Sequence, residues 1–397
     1  MMKFFFITVL IYLTAQPLAA REIRMLEKYN VGGYIRDGRT LPYTFEPHSN
    51  PRALPEANQQ VLNRRGNQQA ANSAKEYMAE YPGTTAMMLL DQGKIIFEAY
   101  QGMGRPKSEF FSMSIAKSMT SLAVGKALCQ GDLKSLEILA GNIIPQLANS
   151  NFGKSTIRHL LTMSSGAFMT VFGGRPKYSA GIGRRPRNGK PWGGPSWPVR
   201  LGQINIKDIL WGKVWDITLN KNHAAPGEVF LYRNAEPMVI SKIIEKRTGL
   251  SLAAFFDSRI WQEVRGGQTG HWEADSDGTT IAMSGFQVSL KDWGRLAVWL
   301  LAELKKPGCY GDYLRQATTT QIKTSGLGGT ANTPFKGYGY FWWTDHSNAP
   351  GFWGKGHAGQ ELAINAETGK VLIKFGYRVY PGVSSDITKL YRNWHNN

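Results

Sequence analysis

Apolar positions recur along this chain in two rhythms, one of strands and one of helices. Thr85–Leu90 and Ile95–Tyr100 are apolar-rich runs of strand length separated by Asp91-Gln92-Gly93-Lys94, and they predict an antiparallel hairpin. Towards the far end Leu362–Asn365 and Val371–Tyr377 flank Glu367-Thr368-Gly369 as a second hairpin, and Val383 to Asn396 reads as a closing helix. Between the hairpins the spacing changes to three and four. Ser114–Cys129, Ser155–Met163, Ala235–Thr248, Leu252–Val264 and Lys291–Leu304 are predicted helices on that ground. Asn67 to Glu80, polar with Ala and Met at helical spacing, places one more helix ahead of the first hairpin.

Helix and hairpin at one end, hairpin and helix at the other, predict an α/β protein of the α+β type. An antiparallel sheet built from both chain termini is flanked by helices, with a mainly helical domain inserted. The expected division is an α/β domain from 67–113 and 285–397 and a helical domain over 114–284. Residues 21–66, rich in Pro, Asn, Gly and Arg without periodicity, read as an extended arm. Residues 1–20 read as a signal peptide: Lys3 precedes the apolar run Phe4 to Leu13, and Leu18-Ala19-Ala20 suits cleavage after Ala20. No other segment approaches 18 consecutive apolar residues, so an exported, periplasmic or secreted protein without a stable membrane span is expected.

Composition sharpens this picture. A chain of 397 residues with 42% hydrophobic residues is neither disordered nor collagen-like, and 2 Cys do not make a disulfide scaffold. Cys129 in an apolar helical stretch and Cys309 in a Pro-Gly-Cys-Tyr turn are expected to be packing residues. The net charge is +18, and the stretch 138–207 holds ten Lys or Arg and no acid. Within it, 13 of the 30 residues from Gly173 to Gly202 are Gly or Pro, so 173–202 is an elaborated basic loop rather than a regular element. Such a surface is either a solvated face or a means of recruiting an anionic substrate or envelope polymer. No recognition helix, zinc-finger spacing or RNA-binding aromatic signature accompanies the charge, which argues against nucleic acid.

The chain lacks a Gly-x-Ser-x-Gly elbow, a phosphate-binding Gly-x4-Gly-Lys-Ser/Thr loop and a His-Glu-x-x-His pair, and its His residues are scattered, so no cofactor or metal is expected. The one Ser-x-x-Lys is Ser114-Ile115-Ala116-Lys117, opening an apolar helix with Lys117 one turn beyond Ser114. A Ser nucleophile needs a neutral amine beside it, and burial can bring a Lys down to that range. Tyr232-Arg233-Asn234 follows a Pro-Gly turn and opens a second helix, placing a proton-relaying Tyr and a substrate-orienting Asn. The same tripeptide at Tyr391-Arg392-Asn393 lacks the turn and is expected at the surface. Lys355-Gly356-His357-Ala358-Gly359-Gln360 precedes the first strand of the C-terminal hairpin, where Gly permits close backbone approach. Trp342, Trp343, Phe352 and Trp353 nearby are either core or the lining of a cleft.

Ser114-x-x-Lys117, Tyr232-x-Asn234 and His357-x-Gly359, in that order, resemble the serine β-lactamase-related family of class C β-lactamases, DD-peptidases, family VIII esterases and 6-aminohexanoate-dimer hydrolase. Thr156–Gly166, Ser284–Ser289 and Gly337–Trp343 are similar to its connecting segments. The resemblance implies a β-lactamase/transpeptidase-like fold and an acyl-enzyme mechanism. By it, Ser114 attacks the carbonyl of a small amide or ester, Lys117 and Tyr232 handle the proton, and Asn234 orients the substrate. The oxyanion hole uses the backbone N–H of Ser114 and Gln360. His357-Ala358-Gly359 stands where β-lactamases carry Lys-Thr-Gly, which favours an amidase or esterase over an antibiotic-hydrolysing enzyme or a cell-wall peptidase.

Overall fold

Two hairpins from opposite ends of the chain meet edge to edge in a computed structural model, which describes residues 43–166, 224–275, 277–324, 333–376 and 383–396. The first part of the chain supplies β1 (Tyr43–Phe45), β2 (Thr84–Asp91), β3 (Lys94–Tyr100) and β4 (Glu109–Phe111), with α1 (Asn67–Glu80) and α2 (Ile115–Gln130). The middle adds α3 (Ile157–Leu161), α4 (Ala235–Thr248) and α5 (Leu252–Phe256). From α5 the chain runs on through the π-helical turn Asp257–Trp261 to Gln262–Val264. Then follow β5 (Gly270–Trp272), β6 (Phe286–Ser289), α6 (Leu290–Lys305) and α7 (Cys309–Ala317). The last part forms β7 (Ile322–Lys323), β8 (Phe335–Tyr338), β9 (Trp343–His346), β10 (Phe352–Gly356), β11 (Gln360–Ile364), β12 (Lys370–Gly376) and α8 (Val383–Asn396).

The main sheet runs β3-β2-β12-β11-β10-β9-β8-β7, antiparallel throughout. β2 joins β12 through the register Leu89 to Leu372, which closes the two ends of the chain into one layer as expected. All eight residues of β2 are buried, because both faces are covered. Met87 and Leu89 face α1 and α8 with Ala74, Met78, Ile387 and Trp394, whereas Ala86, Met88 and Leu90 join the larger core against α2 and α6. A second sheet, β1-β5-β6-β4, was not legible as periodicity, since its strands are three or four residues long. The segment before α1 contributes its edge strand β1 and pairs backbone with the body through Ile95 N–H to Pro55 O at 2.9 Å.

At the centre lies α2, in which every residue from Ile115 to Ala127 is buried, so the helix is enclosed on all sides and its polar side chains, Lys117, Ser118, Thr120, Ser121 and Lys126, are hydrogen-bonded within the protein. Gly125 is required there: a Cβ would stand 2.4 Å from the ring of Tyr313 in α7. This close packing brings Cys129 and Cys309 together, with Cα atoms 5.7 Å apart, and they form a disulfide. The expectation of two packing cysteines is thereby corrected. Cys309 is the first residue of α7 rather than part of a turn, and only the α2–α7 contact puts positions 180 apart within bonding range. A second correction concerns Tyr391, which is buried against Trp353, ring centroids 5.1 Å apart. The spacing of α8 aims it into the sheet and leaves Asn393 exposed. Residues 1–42 and the basic loop 173–202 lie outside the described residues, and no described helix is long and apolar enough to cross a membrane.

Candidate active site

Ser114 caps the N-terminus of α2, immediately after Met113, whose φ of 47° is the left-handed conformation that a non-glycine residue rarely adopts. Strain of this kind, about 1–3 kcal/mol, persists only where the surroundings hold it. Here they do. Met113 and Ser112 abut Gly356 at the end of β10, where a Cβ would meet Ser112 O at 2.4 Å. Gly354, two residues earlier on the same face, abuts Ile115. The first turn of the helix uses the N–H groups of Ile115, Ala116 and Lys117, and that of Ser114 is outside those bonds.

One turn into the helix, Lys117 turns its amine back: Nζ lies 2.8 Å from Ser114 Oγ and donates to Met283 O at 3.1 Å. Lys117 is only 1% exposed, and burial pushes its amine down to about 7 despite the opposing charge of Glu236. A neutral amine is therefore available near pH 7, which is what a general base beside a hydroxyl requires. The N-terminus of α2 adds a dipole that further disfavours a cation.

Tyr232 approaches from the segment before α4, its hydroxyl hydrogen-bonded with Ser114 and its ring 5.0 Å from Lys117 Nζ. Burial drives this phenol well above its usual range, so it stays protonated and is a proton donor at neutral pH. Trp343 stacks on it at 5.3 Å and Tyr338 meets it edge-on at 6.2 Å, which fixes the ring. Asn234 is the N-cap of α4 and is partly exposed beside it. Of the four aromatic candidates, Trp342, Phe352 and Trp353 are core, and Trp343 alone borders the site.

His357, Ala358 and Gly359 form the tip between β10 and β11, with Ala358 at φ 63° and Gly359 at φ 85°. The tip is tied down from behind. Gln360 Nε2 donates to His357 O at 2.9 Å and Gly376 O at 2.6 Å, and Gln360 Oε1 accepts from Gly376 N–H at 3.0 Å. The Gln360 side chain is thus spent on scaffolding, leaving its backbone as the part that can face a substrate. His357 is exposed, and the burial it does have lowers its pKa, so it is neutral at pH 7. Lys355 does not replace it. Gly354 and Gly356 face α2, so Lys355 projects from the other face of β10, with both carboxylate oxygens of Glu361 2.6 Å from its Nζ.

The connecting segments converge on the same place. Phe341 N–H donates to Leu161 O at 3.0 Å, Ser118 Oγ to Phe341 O at 2.7 Å, and Leu231 N–H to Met163 O at 2.8 Å. The structure therefore brings Ser114, Lys117 and Tyr232 into mutual contact, with the His357–Gly359 tip beside Ser114 and Asn234 beside Tyr232. Sequence reasoning missed the Met283 carbonyl, Arg233, Glu236 and Ser165. Their signals were faint: Met283 adjoins the Ser284 segment, and Arg233 and Glu236 stand at i,i+3 across the start of α4, Arg233 in the turn before the helix and Glu236 in its first turn.

An antiparallel sheet covered on both faces, with a Ser-x-x-Lys helix start buried between sheet and helices, defines the class of hydrolases built on the β-lactamase fold. The Beta-lactamase family matches residues 70–392, and the chain belongs to that family. It is 21% identical over 333 residues to 6-aminohexanoate-dimer hydrolase of Paenarthrobacter ureafaciens, covering 81% of this chain and 77% of that protein. A solved Bacillus anthracis structure assigned as a 6-aminohexanoate-dimer hydrolase superposes with a TM-score of 0.68 at 22% identity, over 91% of this chain and 93% of that one. A D-stereospecific amidohydrolase from Streptomyces gives 0.57 at 16% identity, over 82% and 98%.

Proposed function

We propose that the protein is an exported serine hydrolase that cleaves an amide or ester bond of a small molecule through an acyl-Ser114 intermediate, most like 6-aminohexanoate-dimer hydrolases and family VIII esterases. The observation that carries this reading is the 2.8 Å approach of a buried amine, Lys117 Nζ, to Ser114 Oγ. Neutral Lys117 takes the hydroxyl proton as Oγ bonds to the substrate carbonyl carbon and the carbonyl electrons move onto oxygen. Backbone N–H groups of Ser114 and Gln360 receive that oxyanion, each donor contributing about 3 kcal/mol by the usual cost of removal.

Collapse of the adduct breaks the C–N or C–O bond. Tyr232 gives its phenolic proton to the departing nitrogen or oxygen and regains one from the Lys117 ammonium. Water then attacks the acyl carbon, losing its proton to the same relay, and the carboxylic acid leaves as Ser114 regains its hydrogen. Asn234 orients the substrate amide or ester, and His357 meets a polar group on its far side. The disulfide supports export, since such bonds persist in oxidising compartments, in keeping with the leader-like residues 1–20.

The family match gives a class C-like β-lactamase or a cell-wall DD-peptidase as the second reading. Neutral His357, with Lys355 occupied by Glu361 on the opposite face, argues against it, because nothing cationic stands ready for a substrate carboxylate among the described residues of this hairpin. Intact mass after parallel incubation with a p-nitrophenyl ester, a chromogenic cephalosporin and a fluorescent penicillin separates the readings. An adduct on Ser114 that turns over with the ester supports the first, and rapid cephalosporin turnover or a long-lived penicillin adduct supports the second. Absence of any adduct, with binding to anionic polymer that falls with salt, would mark a non-catalytic binding protein.

A further inference from the structure

Directly behind Tyr232 and Asn234 lies a charge pair that the proposed chemistry does not use. Arg233, the residue between them, is 2% exposed, and Glu236, in the first turn of α4, is fully buried. Arg233 Nη2 stands 2.7 Å from Glu236 Oε1. Ser165 Oγ bridges the two, accepting from Arg233 Nη2 at 3.0 Å and donating to Glu236 Oε1 at 2.9 Å. Nε and Nη1 of Arg233 and Oε2 of Glu236 have no hydrogen-bond partner among the described residues. Among the described residues, each charge is therefore compensated essentially by the other.

Such a pair is a poor way to gain stability, since apolar residues of the same volume commonly serve as well. Its value lies in the field it controls. The groups around the Lys117 amine are Ser114 and Met283 O, which it contacts, and Tyr232 and Tyr338, both held protonated by burial. From α7, Tyr310 and Tyr313 are held protonated too. From β10, Lys355 is paired with Glu361, and from the tip, His357 is neutral. Beyond α5, Glu263 is paired with Lys126, about two and a half turns along α2 from Lys117. Glu273 is buried against Gly285, two residues beyond Met283. Glu236 is a charged group whose field acts on Lys117, and it favours the ammonium.

We infer that Arg233 and Glu236 are a charge-compensated positioning pair that sets the proton occupancy of Lys117 from behind the Tyr232-Arg233-Asn234 turn. Arg233 offsets the carboxylate, so the amine can be neutral as a base, and Glu236 retains enough field for the amine to hold the Ser114 proton once taken. The same pair fixes the turn that carries Tyr232 and Asn234. This inference rests on Lys117 being the base in the proposed function.

The test is the pH dependence of Ser114 acylation by a p-nitrophenyl ester, followed by intact mass in wild type, Glu236→Gln, Arg233→Gln, Arg233→Lys and the double Arg233→Gln/Glu236→Gln variant. Removing the carboxylate should move the acidic limb to lower pH by about half a unit to one unit, so that well below the midpoint Glu236→Gln acylates about three- to tenfold faster than wild type. Arg233→Gln should move the limb the opposite way, Arg233→Lys should stay near wild type, and the double variant should return towards it. A merely structural pair would lower the rates and leave every midpoint in place. Unchanged midpoints, or single variants displaced in the same direction, overturn the inference. Where Arg233→Gln fails to fold by circular dichroism, the near-isosteric Glu236→Gln alone decides. A wild type that forms the adduct with no acidic limb removes Lys117 as base and takes this inference with it, whereas unmoved variants against a normal wild-type limb remove the inference alone.

Discussion

Lys374 on β12 donates to the carbonyl of Gly359 at 2.8 Å, so the glycine of the His357–Gly359 tip is held from the strand behind it rather than from the site itself. Lys374 is 1% exposed, and burial, reinforced by Lys355 and opposed by Glu361, brings its amine down to about 8. With the Gln360 bonds to His357 and Gly376, this fixes the peptide whose N–H is proposed for the oxyanion hole. Lys374→Met keeps the volume and removes the donor. Its kcat on an ester substrate is expected to fall about tenfold with KM nearly unchanged, since a mispositioned oxyanion donor is felt in the transition state. Equal kcat in the two proteins would sink this role for Lys374.

Lys117 is expected to give the site its pH dependence. With the amine near 7, acylation should lose rate as pH falls below about 7 and level off above it, because only the neutral amine accepts a proton. Lys117→Ala should cost about 10²–10⁴-fold in acylation while the far-ultraviolet circular dichroism is retained. Burial of this Lys also has a stability cost. The native amine is neutral above about 7, while the unfolded chain keeps its proton up to 10.5, so this group's contribution rises with pH across that window. Lys117→Met should accordingly raise Tm at neutral pH while abolishing acylation, and a lower Tm would contradict the assignment.

His357 is expected to set the balance between ester and β-lactam substrates. His357→Lys places a permanent cation at the tip where a carboxylate-bearing substrate would lie. A charge-assisted hydrogen bond contributes about 1.5–3 kcal/mol, so kcat/KM for a cephalosporin should rise roughly tenfold or more with little change for an uncharged ester. Parallel increases for both substrates would show that His357 acts on the catalytic step rather than on recognition.

The Cys129–Cys309 bond closes a loop of 180 residues that contains Lys117's contact at Met283, Tyr232 and the basic stretch. Cys129→Ala/Cys309→Ala should lose about 2–4 kcal/mol in denaturant unfolding, with activity at 25 °C preserved because neither sulfur touches the site. Addition of reductant to the wild type should reproduce the loss, and an unchanged midpoint would show that the α2–α7 packing suffices alone.

Much of this was legible from local pattern. The β2–β3 hairpin, α4 over Ala235–Thr248 and the closing helix α8 are long enough for their periodicity to dominate, and Ser114, Lys117 and Tyr232 stand in a spaced order that pointed to one site. The small sheet was not legible, because Glu109–Phe111 and Gly270–Trp272 are too short to repeat even the two-residue strand pattern twice and are stabilised by partners far away in the chain. Tyr391 was misjudged for a related reason: which face of α8 is buried depends on Trp353, and nothing within the tripeptide encodes it.

By itself the sequence determined the helical and extended segments, the charge, and the residue types able to carry acyl transfer, since these depend on neighbours within a turn or two. Tertiary structure alone decided which of those groups meet. It buried the Lys117 amine and so lowered its proton affinity, turned Lys355 to the far face of β10, and joined two cysteines 180 positions apart. It also set Arg233 against Glu236 behind the Tyr232-Arg233-Asn234 turn. Burial and long-range proximity are properties of packing, and proton affinity, pairing and field follow from them rather than from the order of residues along the chain.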